Sequence, residues 1–101
     1  MQFVVWANDH PGSLAQRQQV REAHRARLRD PAPHRVQVLL AGPTLDAVAD
    51  TMNGTLLVVE AATLDEVQAF VADDPYVQHG VYERVEIRPW RCGIGPLASV
   101  P

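Results

Sequence analysis

The residues with the clearest capacity for chemistry share one face of a predicted helix. On a helical wheel His24 falls on the apolar side near Leu28, and Arg17 and Arg21 lie on the same arc. Charged groups are costly to bury unless they are paired or open onto a cavity. Two interpretations follow: a structural histidine with both arginines extending to solvent, or an imidazole that performs general acid–base chemistry in a binding site.

A second candidate cluster is Asp73-Asp74-Pro75-Tyr76, at the carboxyl end of a predicted helix. A carboxylate at that end opposes the helix dipole, so it is not placed to stabilise the helix. Asp and Pro are also common where helices stop, and a simple turn would explain them. The functional interpretation is that one aspartate orients and charges an imidazole.

The remaining candidates carry weaker signals. His10, His34 and His79 have turn-type neighbours and are predicted to face solvent without a role. Cys92 has only Arg91 beside it to support a reactive thiol. The two tryptophans are expected to be core or interface anchors.

Composition excludes several classes of function. The chain has 101 residues, the size of one domain. Its net charge of −3 argues against a nucleic-acid partner. All nine basic residues are arginine, which excludes lysine Schiff bases and phosphate loops that need lysine. One cysteine permits no intramolecular disulfide, and no His, Cys or carboxylate spacing indicates a metal site.

The apolar segments are all short. None approaches the ~18 residues of a membrane span, and no basic leader precedes the first strand. We therefore expect a cytoplasmic protein with neither a secretion signal nor a membrane segment.

Hydrophobic patterning and turn residues predict four strands and two helices. The strands are expected at residues 2–7, 35–41, 54–62 and 81–90. The first helix is expected at residues 14–29, and the second runs from a Thr63 cap to the break at Asp73-Asp74-Pro75. In the last strand, Val81, Glu83, Val85 and Ile87 alternate imperfectly with Tyr82, Arg84, Glu86 and Arg88.

Local signals predict how these elements begin and end. Ser13 is expected to cap the first helix, and Thr63 forms a capping box with Glu66. Gly42-Pro43 is expected to end the second strand, with residues 44–53 as a loop and Asn53-Gly54 as a turn. Residues 76–79 are expected to form one short turn.

The resulting order, β-α-β-β-α-β, predicts an α+β, ferredoxin-like fold with a four-stranded antiparallel sheet and both helices on one face. The first three strands are apolar on both sides. An apolar face left uncovered needs a partner, so we expect a homodimer that stacks sheet on sheet.

Several segments together resemble the YciI-like (YCII-related) family over residues 1 to about 91. They are QFVVWANDHPGS, RQQVREAH, LLAGP, NGTLLVVEA and ADDPYVQHGVYERVEIRPW. The resemblance implies a ferredoxin-like unit related to muconolactone isomerase and assembled as a dimeric α/β-barrel. It divides the chain into a domain at residues 1–91 and a tail at residues 92–101.

The resemblance also implies a His–Asp dyad. By motif position this dyad is His24 and Asp74; Asp73 is disfavoured because Asp74 directly precedes Pro75. Residues expected to line the same cleft and bind substrate are Arg21, Gly42, Pro43 and Tyr76. One branch of the family is similar to enzymes that remove chloride and a proton from chlorinated hydroxyquinols.

These implications predict a lyase or isomerase that acts on a small cyclic or aromatic compound without a metal or organic cofactor. An alternative is a dimeric metabolite-binding or accessory domain in which the His–Asp pair is only structural. A third is a cofactor-free oxygenase, which nothing in the chain specifies. Access of solvent to the His24 ring discriminates the first two.

Overall fold

The computed structural model describes residues 1–98 and contains one four-stranded antiparallel sheet in the order β2-β3-β1-β4. The strands are β1 (Gln2–Asp9), β2 (Val36–Leu45), β3 (Met52–Ala61) and β4 (Tyr82–Trp90). The helices are α1 (Leu14–Arg29), α2 (Leu64–Ala72) and α3 (Pro75–Gln78). The predicted α+β class and sheet are confirmed. None of the helices within residues 1–98 is long and apolar enough to cross a bilayer.

The core lies between one face of the sheet and the helices. Period-two alternation turns Phe3 and Val5 of β1 toward the helices, where they pack with Phe70 of α2. Leu28 of α1 packs against the same cluster. The core therefore fixes both helices on a single face of the sheet.

The second strand is longer than predicted. It continues through Gly42-Pro43 to Leu45, so these two residues do not end it. Proline is tolerated because β2 is an edge strand, where one backbone N–H needs no partner in the sheet. The predicted loop shrinks to a turn in which the Asp46 carboxylate accepts the N–H groups of Val48 and Ala49.

Gly54 lies inside β3 and not in a turn. It pairs with Asn8 on one side and with Thr44 on the other. A Cβ at this position would collide with the Ala7 carbonyl oxygen and with the Thr44 hydroxyl. The glycine is thus required by close backbone approach, a reason that the turn signal in the sequence did not reveal.

The two long helices begin differently. Thr63 Oγ1 accepts the N–H of Glu66 at 3.3 Å, which confirms the predicted cap. The Glu66 carboxylate accepts the N–H of Ala62 and not that of Thr63, so the reciprocal half of the predicted box is shifted by one residue. Ser13 occupies the N-cap position of α1 but makes no side-chain cap hydrogen bond. Its predicted capping role is wrong, although the helix starts where expected.

A β-bulge in the β1–β4 pair changes which side chains of β4 face inward. Asn8 pairs with Arg84, but Asp9 pairs with Tyr82, so Glu83 is the extra residue. Tyr82 consequently contacts the Tyr76 ring on the helix side, and Glu83 is exposed. The imperfect alternation predicted for this strand did not reveal the extra residue.

The opposite face of the sheet is uncovered and partly apolar. Trp6, Leu40 and Leu56 are 46%, 55% and 38% exposed. Trp6 pairs with Leu56 across the β1–β3 ladder, so their side chains are neighbours. Trp90 is also exposed, which rules out a core role for either tryptophan.

The predicted tail begins just after β4. Gln2 donates a 3.4 Å hydrogen bond to the Leu97 carbonyl, which places this part of the tail beside the start of β1. Residues 99–101, the end of the predicted tail, lie outside the described residues.

Candidate active site

His24 and Asp74, fifty residues apart in sequence, are in direct contact. Nδ1 of His24 lies 2.8 Å from both carboxylate oxygens of Asp74. The two residues are 5% and 2% exposed. Because Nδ1 donates to the carboxylate, the neutral imidazole keeps its lone pair on Nε2, which suits that nitrogen to accept a proton.

Asp74 is positioned by α3, the short helix that extends the predicted turn. Its side chain caps this helix by accepting the N–H of Tyr76 at 2.8 Å, and Pro75 occupies the first helical position. The aspartate therefore sits at the favourable, amino-terminal end of a helix dipole as well as just beyond α2. The prediction that Asp74 would only oppose the dipole of α2 is therefore wrong, because Asp74 also caps the start of α3.

Tyr76 separates His24 from Arg17. Its ring stacks on the imidazole with centroids 4.0 Å apart, and the Arg17 guanidinium carbon lies 4.3 Å from the same centroid. His24 and Arg17 are two turns apart on α1, about 10 Å along the axis, so the aromatic ring is held between them. This stack fixes the plane of the imidazole.

Arg17 does not extend to solvent. It is 2% exposed, contacts Asp9 through two nitrogens at 2.8 and 3.1 Å, and donates to Thr55 at 2.6 Å. Burial lowers the pKa of Arg17, but the hydrogen bond and charge of Asp9 outweigh it and leave the pKa raised. The sequence interpretation missed Asp9; its only signal was a carboxylate at the end of β1, facing the start of α1.

A cavity of about 510 Å³ lies between α1 and the edge of the sheet formed by β2 and β3. His24 lines it, and so do all four residues predicted to bind substrate: Arg21, Gly42, Pro43 and Tyr76. Asp74 does not line the cavity and contacts His24 at Nδ1. Arg17 and Leu28, which the helical wheel placed on the same face as His24, also line the cavity. The sequence did not indicate the remaining lining residues, which are Arg25, Arg29, Val38, Ala41, Met52 and Thr55.

Both tyrosines near the cavity are held in the neutral form. Burial raises the pKa of Tyr76, and the positive charges of Arg17 and Arg21 partly offset the increase. Burial, followed by the negative charge of Asp74, raises the pKa of Tyr82 strongly. Neither phenol is therefore suited to act as a base at neutral pH.

The other histidines occupy different environments. His10 and His79 are exposed, as predicted. His34 is only partly exposed, and its Nε2 lies 2.7 Å from an Asp73 carboxylate oxygen. His34 is therefore less exposed than predicted, because the linker before β2 folds back onto the end of α2.

In the part of the chain that the structure describes, no three or more His, Cys, Asp or Glu side chains converge on one point.

The chain is similar to proteins of one family over nearly its whole length. The YCII-related domain family matches residues 1–91. Protein YciI of Escherichia coli O6:H1 (strain CFT073) is 36% identical over 96 residues, which span 90% of this chain and 97% of that protein. A protein of Haemophilus influenzae (strain KW20 / Rd) is 33% identical over 97 residues, with the same coverage.

The fold is also similar to that of a solved structure. 5-chloro-2-hydroxyhydroquinone dehydrochlorinase (TftG) of Burkholderia phenoliruptrix AC1100, in complex with 2,5-dihydroxybenzoquinone, is 34% identical. It superposes with a TM-score of 0.81 over 92% of this chain and 96% of that one. With its sheet, its helices and nearly its whole length matched, the chain belongs to the YCII-related family.

Proposed function

We propose that this protein is a cofactor-free lyase or isomerase that moves a proton on a small ring compound bound in the cavity. The observation that carries the proposal is the 2.8 Å contact between His24 Nδ1 and the Asp74 carboxylate at the wall of a 510 Å³ cavity. A buried imidazole whose orientation is fixed by a carboxylate is the arrangement used for general acid–base catalysis.

In this proposal, Nε2 of His24 accepts a proton from the substrate, from a hydroxyl in an elimination or from a ring carbon in an isomerisation. Asp74 holds the other nitrogen as the hydrogen-bond donor and stabilises the imidazolium that forms. In the elimination from a chlorinated hydroquinone, one hydroxyl loses its proton and becomes a carbonyl while the ring carbon that bears chlorine takes up a proton. A second hydroxyl then loses its proton and becomes a carbonyl, and chloride departs with its bonding pair, so the net loss is one proton and one chloride. In an isomerisation, the same proton returns to a different carbon. Both reactions balance without an oxidant or a metal.

Arg21 supports the binding step, since it lines the cavity near His24 and its charge acts on Tyr76. A guanidinium there would hold an acidic oxygen of the substrate and stabilise negative charge that develops on the ring. The relative TftG, whose name is that of a dehydrochlorinase, supports a lyase reaction on a hydroxylated ring.

The test measures chloride release from 5-chloro-2-hydroxyhydroquinone and isomerisation of muconolactone by the purified protein. His24→Ala is expected to lower turnover by about 100-fold or more. His79→Ala is the matched control, because His79 is exposed and its side chain bonds only the Pro75 carbonyl among residues 1–98. Full turnover by His24→Ala would contradict the proposal.

The alternative, a metabolite-binding or accessory domain, predicts a different result. Ligands would shift the His24 imidazole NMR signals, yet neither compound would be consumed. The 5% exposure of His24 taken by itself favours the structural role of the pair, but the residue lines the cavity, and that position favours the enzyme.

We also propose that the protein is a homodimer that stacks the uncovered faces of two sheets. Trp6, Leu40 and Leu56 form the exposed apolar patch that would be buried. Leu40→Glu is expected to shift the mass measured by analytical ultracentrifugation from two chains to one. Val48→Glu is the control, since Val48 is 97% exposed in the β2–β3 turn. A monomeric wild type would contradict this proposal.

A further inference from the structure

The cavity wall formed by α1 carries more positive charge than one acidic group requires. Arg21, Arg25 and Arg29 all line the cavity, at successive four-residue steps of the helix. We propose that the cavity selects a single-ring compound with two acidic groups, the second held by Arg25 and Arg29. The inference rests on the proposed function only in placing the first group at Arg21, beside His24.

Arg17, Arg21, Arg25 and Arg29 form a row along α1, the arginine row, that runs from the protein interior to solvent. Each four-residue step advances about 6 Å along the axis and rotates about 40° around it. Beginning at buried Arg17, the row passes through partly exposed Arg21 and Arg25 and ends at exposed Arg29. A second anion-binding position therefore lies about 6–12 Å from Arg21, roughly the span of one substituted ring.

The charges of this row are largely unneutralised. Arg17 is paired with Asp9, but Arg21 and Arg29 form no ion pair within residues 1–98. Arg25 has only Glu22 at 3.7 Å, on a carboxylate that is 82% exposed. An exposed pair of this kind is worth little, so an acidic ligand can displace it. No carboxylate is among the described residues that line the cavity.

The facing wall explains why the ligand body should be apolar. It is built by Val38, Ala41, Pro43 and Met52, and Leu28 closes the α1 side. A flat hydrocarbon ring can pack on this wall while its acidic groups point to α1. An extended polyanion without an apolar body would leave this wall exposed to water, so its affinity would lack the contribution of apolar surface burial.

The test compares two probes of nearly the same shape by calorimetry. Terephthalate carries two carboxylates, and 4-carbamoylbenzoate replaces one with a neutral amide. We expect the wild type to bind terephthalate about fivefold more tightly, with an advantage that shrinks as salt is raised. The double variant Arg25→Gln, Arg29→Gln should lose the advantage. Arg91→Gln is the control, because it removes one arginine charge at an exposed position just after β4 that does not line the cavity.

Three results would overturn the inference: no binding of terephthalate at millimolar concentration, equal binding of both probes by the wild type, or an advantage that survives in the double variant. The melting temperature of each variant checks that the fold is intact. His24→Ala should retain the preference for terephthalate. Loss of catalysis and loss of ligand selection are thus measured on different variants, so either proposal can fail while the other stands.

Discussion

The two adjacent aspartates differ in what they contact. Asp74 is buried, bonds His24 through both oxygens and caps α3, whereas Asp73 is exposed and pairs with His34. The preference for Asp74 in the sequence analysis rested on its place before Pro75. In the structure that proline starts the helix that Asp74 caps, so the same feature aims the carboxylate at the imidazole.

This difference makes Asp74→Asn an informative variant. Asparagine caps helices as well as aspartate does, so we expect α3 and the melting temperature to change little. The negative charge that stabilises an imidazolium is lost, and turnover should fall by about 100-fold or more.

Asp73→Asn supplies the matched comparison for the turnover assay. It removes the same charge one residue away, from a carboxylate that is 63% exposed and whose pair with His34 is therefore worth little to stability. Turnover should remain near the wild-type rate. Equal losses in both variants would show that the general negative field near α2, and not the contact with His24, supports activity.

At the scale of elements, the site depends on where α1 and α3 meet above the sheet. The part of the sheet beneath these helices is held by the close approach of β3 to its neighbours at Gly54. Thr55, the next residue, accepts a hydrogen bond from Arg17, so the position of β3 sets the position of Arg17. A shift of β3 at this point would move the support of Arg17 and, through the Tyr76 stack, the plane of His24.

Gly54→Ala tests this dependence. Its methyl group meets backbone at Ala7, which cannot move aside as a flexible side chain can, so we expect the free energy of unfolding to fall by about 1–3 kcal/mol. Gly42→Ala is the control, because nothing lies within 4 Å of a Cβ there. Chemical denaturation of both variants provides the measurement, and equal stability of Gly54→Ala and wild type would refute the crowding argument.

At the scale of the whole molecule, folding protects both tyrosines from ionisation. The raised pKa values of Tyr76 and Tyr82 mean that the folded protein holds protons that the unfolded chain releases above about pH 10. Stability is therefore fully present below that pH and declines as the pH rises past it. Because the chain contains no lysine, no lysine titration overlaps that of tyrosine, and a loss of stability just above pH 10 can be assigned to the tyrosines.

Tyrosinate absorbance measured against pH checks this expectation. The band should appear together with unfolding, and Tyr82→Phe should flatten the fall in unfolding free energy. A tyrosinate band near pH 10 in a protein with native circular dichroism would contradict it.

The sequence by itself determined the element order, the family and the two residues of the proposed dyad. Helical periodicity is a local property, so the α1 boundaries and the shared face of Arg17, Arg21 and His24 could be predicted from neighbouring residues. The motif resemblance then singled out Asp74.

Only the tertiary structure decided how the charges are distributed around the site. The pairing of Arg17 with Asp9, the inward turn of Tyr82 at the bulge and the close approach at Gly54 each depend on contacts between strands or between a strand and a helix. Spacing along the chain does not encode such contacts, because register and bulges are fixed when the sheet and core pack together.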